Sequence, residues 1–160
     1  MPVEIEVAKR RISGEDWPIE VEKIYRSIKP KAESLHYRVV EKEQEFKSEK
    51  YGGLNRFSFI CEKTIDELAK NQIEIECGFS KIRQREGEKK NIGDIQIKVV
   101  GTLIFDPKNH WGKTKFGRML YHFYSKFLAK EKIKKKYIEP LGIETNKIYD
   151  AIKEVTDLYQ

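Results

Sequence analysis

Cysteine, methionine and tryptophan are scarce in this chain, two of each in 160 residues. No apolar run reaches the roughly 18 residues that would cross a bilayer as a helix, and residues 1–12 lack the apolar stretch of a secretory signal. A cytoplasmic location without a membrane span is therefore expected. Cys61 and Cys77 are sixteen residues apart, which fits neither a disulfide framework nor a CxxC metal spacing, so reduced thiols are expected. Histidine is equally sparse. His36, His110 and His122 stand alone, with no HExxH or His/Cys cluster, and no serine or cysteine occupies a GxSxG-type elbow. No catalytic residue, metal ligand or cofactor is assigned, and a conventional enzyme is not supported.

What is abundant is charge. Lysine, glutamate and isoleucine dominate, a bias that suits a chain selected to work hot, where ion-pair networks cost less desolvation, and a thermophilic archaeal source is expected. The total is 32 Lys and Arg against 26 Asp and Glu, a net charge of +6. The distribution is bipolar: residues 108–136 hold ten basic residues and one acid, Glu131, while the remainder carries −3. Such a segment permits an acidic partner, whether nucleic acid, anionic lipid or an acidic protein surface.

The apolar pattern specifies a single α+β domain over residues 1–160, with an antiparallel meander of about five strands wrapped on a long C-terminal helix. Val3, Ile5 and Val7 alternate with Glu4 and Glu6 as a half-buried strand. Ser13, Asp16 and Pro18 then read as a helix start, with Trp17, Val21, Ile24 and Ile28 as its stripe and Pro30 as its end or bend. Two-residue alternation predicts strands at Tyr37–Lys47, Leu54–Ile65, Ile73–Arg85 and Asp94–Phe105. A hairpin centred on Ala69 would set Ile65 opposite Ile73, Cys61 opposite Cys77 and Phe59 opposite Phe79. Phe116, Leu120, Phe123, Tyr124, Phe127 and Leu128 predict a helix running to about Tyr137, punctuated by Pro140-Leu141-Gly142. Thr145 is expected to cap a final helix carrying Ile148, Ile152, Val155 and Tyr159.

Three patterns invite a chemical reading. Gly112-Lys113-Thr114 ends like a phosphate-binding loop, but GxxxxGK[ST] needs glycine where Pro107 stands, and proline cannot adopt that backbone conformation. Lys115, Arg118, His122, Lys126, Lys130 and Lys134 recur at helical spacing opposite the apolar residues, a ridge able to follow a phosphate backbone or remain a solvated face. Glu41, Glu43 and Glu45 fall on one face of a strand, where solvation is expected to keep them ordinary surface carboxylates.

The order of Val3–Val7, the Trp17–Ile28 helix, four strands from Tyr37 to Phe105 and the Phe116–Tyr137 helix resembles the helix-grip fold of START, polyketide-cyclase and pollen-allergen-like proteins. Phe123-Tyr124-Ser125-Lys126-Phe127-Leu128 with Lys132-Ile133 also resembles the C-terminal part of small uncharacterised archaeal proteins. The helix-grip likeness implies an apolar cavity between sheet and helix that takes a hydrophobic small molecule. Its expected lining is Phe57, Phe59, Phe79, Ile97 and Val99 from the sheet and Leu120, Phe123, Tyr124 and Phe127 from the helix, with Tyr124 as polar anchor. The alternative is a nucleic-acid or acidic-partner module using the basic segment.

Overall fold

A computed structural model describes residues 3–49, 52–66, 69–84, 91–105 and 134–157. The elements in chain order are β1 (Val3–Ile19), α1 (Val21–Ser34), β2 (Arg38–Glu49), β3 (Gly52–Thr64), β4 (Ala69–Gln84), β5 (Asn91–Phe105), a π-helical turn Lys134–Ile138 and α2 (Glu139–Asp157). All strand pairs are antiparallel and the sheet order is β1-β5-β4-β3-β2, so the first strand closes beside the last. The expected α+β class with an antiparallel meander and a C-terminal helix is observed.

β1 is far longer than its opening alternation indicates. Residues 13–18, expected to start a helix, continue the strand, pairing Ile12 with Ile97, Ser13 with Gln96 and Pro18 with Ile92. Register shifts between Glu6 and Ala8 and between Gly14 and Trp17 absorb the extra residues, the second with Asp16 at φ 50°. Pro18 is tolerated because β1 is an edge strand with one side of its backbone unpaired. The helix begins only at Val21, and its buried residues Ile24, Ile28 and Ala32 follow a four-residue repeat. Pro30 lies inside it without ending it: both Pro30 and Arg26, whose carbonyl loses a donor, are exposed to water. The end comes with His36 at φ 70°, where Tyr37 N–H donates to Ala32 O (3.1 Å) and His36 N–H to Glu33 O (2.9 Å), a Schellman closure.

The β3–β4 hairpin turns two residues earlier in the chain than a centre at Ala69 requires. Cys61 faces Ile73, Phe59 faces Ile75, Phe57 faces Cys77 and Asn55 faces Phe79. Asp66 sets this register, because its Oδ1 accepts the Ala69 N–H at 3.0 Å while the Ile65 N–H donates to Ala69 O at 3.0 Å. The two cysteines therefore share a face and are buried, but they lie roughly 13 Å apart along the strands at 3.3 Å per residue, beyond disulfide reach. Burial pushes the Cys61 thiol up to about 12, and the Cys77 thiol is raised by burial and then by Glu76.

One sheet face carries the core. Ile73, Ile75, Phe79, Ile95, Ile97, Val99 and Leu103 are almost fully buried against Ile24 and Ile28 of α1 and Leu141, Ile148 and Ile152 of α2. The C-terminal helix differs from expectation. Pro140 and Gly142 sit inside its first turns, the π-helical turn spacing the backbone ahead of the proline, and Thr145 is no cap but a buried mid-helix residue whose Oγ1 donates to Leu141 O at 2.7 Å. Gly101 on β5 makes room for it: a Cβ there would overlap Thr145 Oγ1 and lie 3.3 Å from Thr145 Cβ. At its other end α2 is tied to β1 by Trp17 Nε1, which donates to Thr156 O at 3.2 Å.

Candidate functional site

The five sheet residues expected to line a cavity, Phe57, Phe59, Phe79, Ile97 and Val99, all lie on the core face at 0–3% exposure. Their rings touch: Phe57 is 5.8 Å from both Phe59 and Phe79, and Tyr25 of α1 caps Phe57 at 5.2 Å and Phe59 at 5.4 Å. Tyr25 Oη donates to Glu41 Oε2 at 2.6 Å, and that hydrogen bond, with some burial, raises the phenol. The helix residues expected opposite them, Leu120, Phe123, Tyr124 and Phe127, lie outside the described residues.

Of the basic stripe, Lys115, Arg118, His122, Lys126 and Lys130 also lie outside the described residues, as does the Gly112-Lys113-Thr114 loop. Lys134 is exposed on the π-helical turn. Its neighbour Lys136 is engaged, 3.2 Å from Asp66 Oδ2, and Tyr137 Oη donates to the same oxygen at 2.5 Å, so the start of the helix is tethered to the β3–β4 turn. The glutamate row is split. A register shift between Glu41 and Glu43 turns Glu41 toward α1, whereas Glu45 stands opposite Arg56 in the β2–β3 ladder, on the other face.

Among the described residues no helix covers that opposite face, and its centre is polar. Two rows cross it at right angles to the strands: Arg11, Lys98, Glu76 and Ser58 in one, and Ser13, Gln96, Gly78, Arg56 and Glu45 in the next. Contiguous concavities of about 690 and 390 Å³ lie over them, sharing Ser13, Arg56, Gly78 and Gln96. The floor is Gly78, where an added Cβ would meet only Gln96 O at 3.7 Å. Arg11 and Arg56 are exposed, Lys98 is half-buried, and none of the three forms an ion pair with another described residue. Lys42, by contrast, reaches Glu74 at 3.8 Å. Arg11 faces Lys98 directly, an opposition of like charges that weakens a sheet unless an anion sits between them. Lys9, Arg10 and Arg11 follow one another along edge strand β1, with Lys9 and Arg11 on this face and Arg10 turned to α2, where its Nε donates to Asn146 Oδ1 at 3.0 Å. This run of three cations is visible in the sequence, and the larger excess at 108–136 overshadows it.

A second polar cluster sits at the hairpin end of the core. Lys63 Nζ donates to both carboxylate oxygens of Glu144 (2.6 and 2.8 Å) and to Leu35 O (3.1 Å), and lies 4.7 Å over the Tyr37 ring. Tyr37 is buried, which raises its phenol, and Asn71 Nδ2 donates to its Oη at 3.2 Å while Asn71 Oδ1 has no partner among the described residues. All three donors of the ammonium are taken, so the group clamps β3, the end of α1 and α2 together. Among the described residues no group of three or more His, Cys, Asp or Glu side chains forms a metal site, and no helix is long and apolar enough to cross a membrane. No family model matches the chain, and a search of curated proteins finds no match to its sequence.

Proposed function

We propose that the chain is a binding module for a polyanionic partner, a nucleic acid, engaged through the β1 edge and the basic segment 108–136. The observation that carries this reading is the cluster of Lys9, Arg11 and Lys98 on the open face, with Arg11 opposed directly to Lys98 and neither neutralised by an ion pair among the described residues. The uneven charge of the chain adds a long-range attraction to phosphates. Fluorescence anisotropy of labelled single-stranded and duplex oligonucleotides across a salt series tests it. Binding should weaken steeply with salt, and replacing Lys9, Arg11 and Lys98 by glutamine should lower the log–log slope by about one for each phosphate that the variant no longer neutralises. Salt-independent retention, or a slope unchanged in the triple variant, would overturn the assignment.

A second reading keeps the core face, favoured by the sheet order that sets β1 beside β5 and a C-terminal helix on that face, in line with the helix-grip likeness. Here a hydrophobic small molecule lodges among Phe57, Phe59 and Phe79. Because these side chains already touch one another and Tyr25, a ligand must displace packed rings, a cost the open polar face does not impose. Native mass spectrometry of gently purified protein decides it: a reproducible excess mass over the denatured chain supports this reading, and an unchanged mass favours the first.

A further inference from the structure

Gly78 has no structural reason to be glycine. It lies in the middle of strand β4, its φ is not in the left-handed region, and no described neighbour would be crowded by a side chain. A glycine inside a strand loses cross-strand packing and conformational entropy, and it recurs where another group must approach the backbone closely. Gly101 shows the contrast within the same sheet, since its missing Cβ is filled by Thr145, whereas the space above Gly78 is filled by no described side chain. What the absent side chain produces is the trough itself, with Arg56 on one flank and Lys98 and Arg11 on the other. From strand spacings of about 4.8 Å and a rise of about 3.3 Å per residue, the Lys98 and Arg56 backbones stand roughly 12 Å apart, within reach of both long side chains converging on one group above Gly78.

We infer that the trough over Gly78 is a phosphate seat, gripped by Arg56, Lys98 and Arg11, with the Ser13 and Gln96 side chains available to its oxygens. Arginine and lysine supply the charge, and the guanidinium forks supply paired N–H donors that match phosphate geometry. Glu76, opposite Lys98, lies beside the seat and suits a hydroxyl or amine of the molecule that carries the phosphate. A volume of about 690 Å³ is that of a small-molecule site. This deepens the anion-binding reading, sharing Arg11 and Lys98 with it.

The test uses the full chain with inorganic pyrophosphate as probe in isothermal titration calorimetry and the labelled oligonucleotides in anisotropy. Gly78→Val fills the trough, and Arg56→Gln removes a grip while leaving the β1 edge intact. Pyrophosphate affinity should fall at least tenfold in both variants, with thermal unfolding of Gly78→Val no lower than that of the unaltered protein. Gly78→Ala, which adds one carbon into open space, should show a smaller loss and guards against a folding defect. Oligonucleotide affinity that persists in Gly78→Val marks the source as a free phosphorylated molecule, and affinity that falls in parallel marks it as a nucleic-acid phosphate; either supports the seat. Oligonucleotide binding with pyrophosphate affinity unmoved by Gly78→Val and Arg56→Gln would overturn the seat and leave the module reading standing. Pyrophosphate binding that both variants abolish, without any oligonucleotide binding, would do the reverse.

Discussion

Replacing Gly101 by alanine tests whether α2 is seated on the sheet through a single close approach. The new Cβ would overlap Thr145 Oγ1 and stand 3.3 Å from Thr145 Cβ and 3.4 Å from its Cγ2, and Thr145 is fully buried. Two adjustments are open. The threonine can turn about χ1, which breaks its 2.7 Å hydrogen bond to Leu141 O and leaves a buried hydroxyl without a partner, at about 1–3 kcal/mol. Alternatively α2 can lift from β5, spreading the strain through Leu141 and Ile148, and overpacking of this kind costs about 1–3 kcal/mol. The gain from removing a strand glycine offsets at most about 1 kcal/mol.

The net expectation for Gly101→Ala is a loss of about 1–2 kcal/mol, a fall in Tm of roughly 2–8 °C for a chain of this size. Urea unfolding followed by circular dichroism measures the stability, and a double-mutant cycle with Thr145→Ala isolates the contact. Thr145→Ala deletes both Oγ1 and Cγ2, so alanine at 101 should then cost no more than about 0.5 kcal/mol. An unaltered midpoint for Gly101→Ala, or a full cost that persists when Thr145→Ala is also present, would show that the helix is not held against the sheet at this point.

Three further outcomes follow from the packing. Lys63→Met should destabilise by about 2–4 kcal/mol in urea, because it strands the mostly buried Glu144 carboxylate, and Lys63→Met with Glu144→Leu should recover most of that loss; no recovery would mean that the pair is not acting as a unit. Stability should fall above about pH 9, since Cys61, Cys77 and Tyr37 keep their protons in the folded chain beyond the pH at which the unfolded chain loses them, and each steepens the slope by up to about 1.4 kcal/mol per pH unit. Cys61→Ala should remove one such share between pH 9 and about 12, and an alkaline slope unchanged in that variant would contradict burial of the thiol. In the native protein neither thiol should react readily with a disulfide reagent at neutral pH, whereas the denatured chain should titrate both.

Much of the fold is legible in the sequence because strands 38–105 alternate cleanly between a core face and a solvent face. The errors share one cause, which is that a distant partner overrides a locally sufficient pattern. Ser13, Asp16 and Pro18 satisfy the chemistry of a helix start, yet the ladder with β5 extends β1 through them by way of two bulges that no local rule reveals. The hairpin register is a subtler case. Moving the turn by two residues keeps every side chain on its own face, so alternation cannot distinguish Cys61 opposite Cys77 from Cys61 opposite Ile73. The Asp66 side chain, which accepts the Ala69 N–H, favours the observed register. Pro140 and Gly142 read as a break for the same reason, since the π-helical turn before them is tethered through Tyr137 to the distant Asp66.

The candidate site is harder to read than the fold because it depends on strand order. Arg11, Lys98 and Arg56 are far apart in sequence and none stands out among 32 basic residues. Their convergence requires β1 to lie beside β5 and β5 beside β4, which holds only because the chain closes its sheet first strand to last. The same closure puts α1 and α2 on one face and leaves the other to the remaining alternates, polar around Gly78 but including Val40, Ile60, Val100 and Ile104 further along the strands. A lone glycine in such a strand carries little weight in a sequence, since bulges, bends and turns all use one. Once Gly78 is known to lie between Gln96 and Arg56 on that face, in a trough whose rim carries Arg56, Lys98 and Arg11 beside Glu45 and Glu76, the missing side chain becomes the most economical account of why the trough exists.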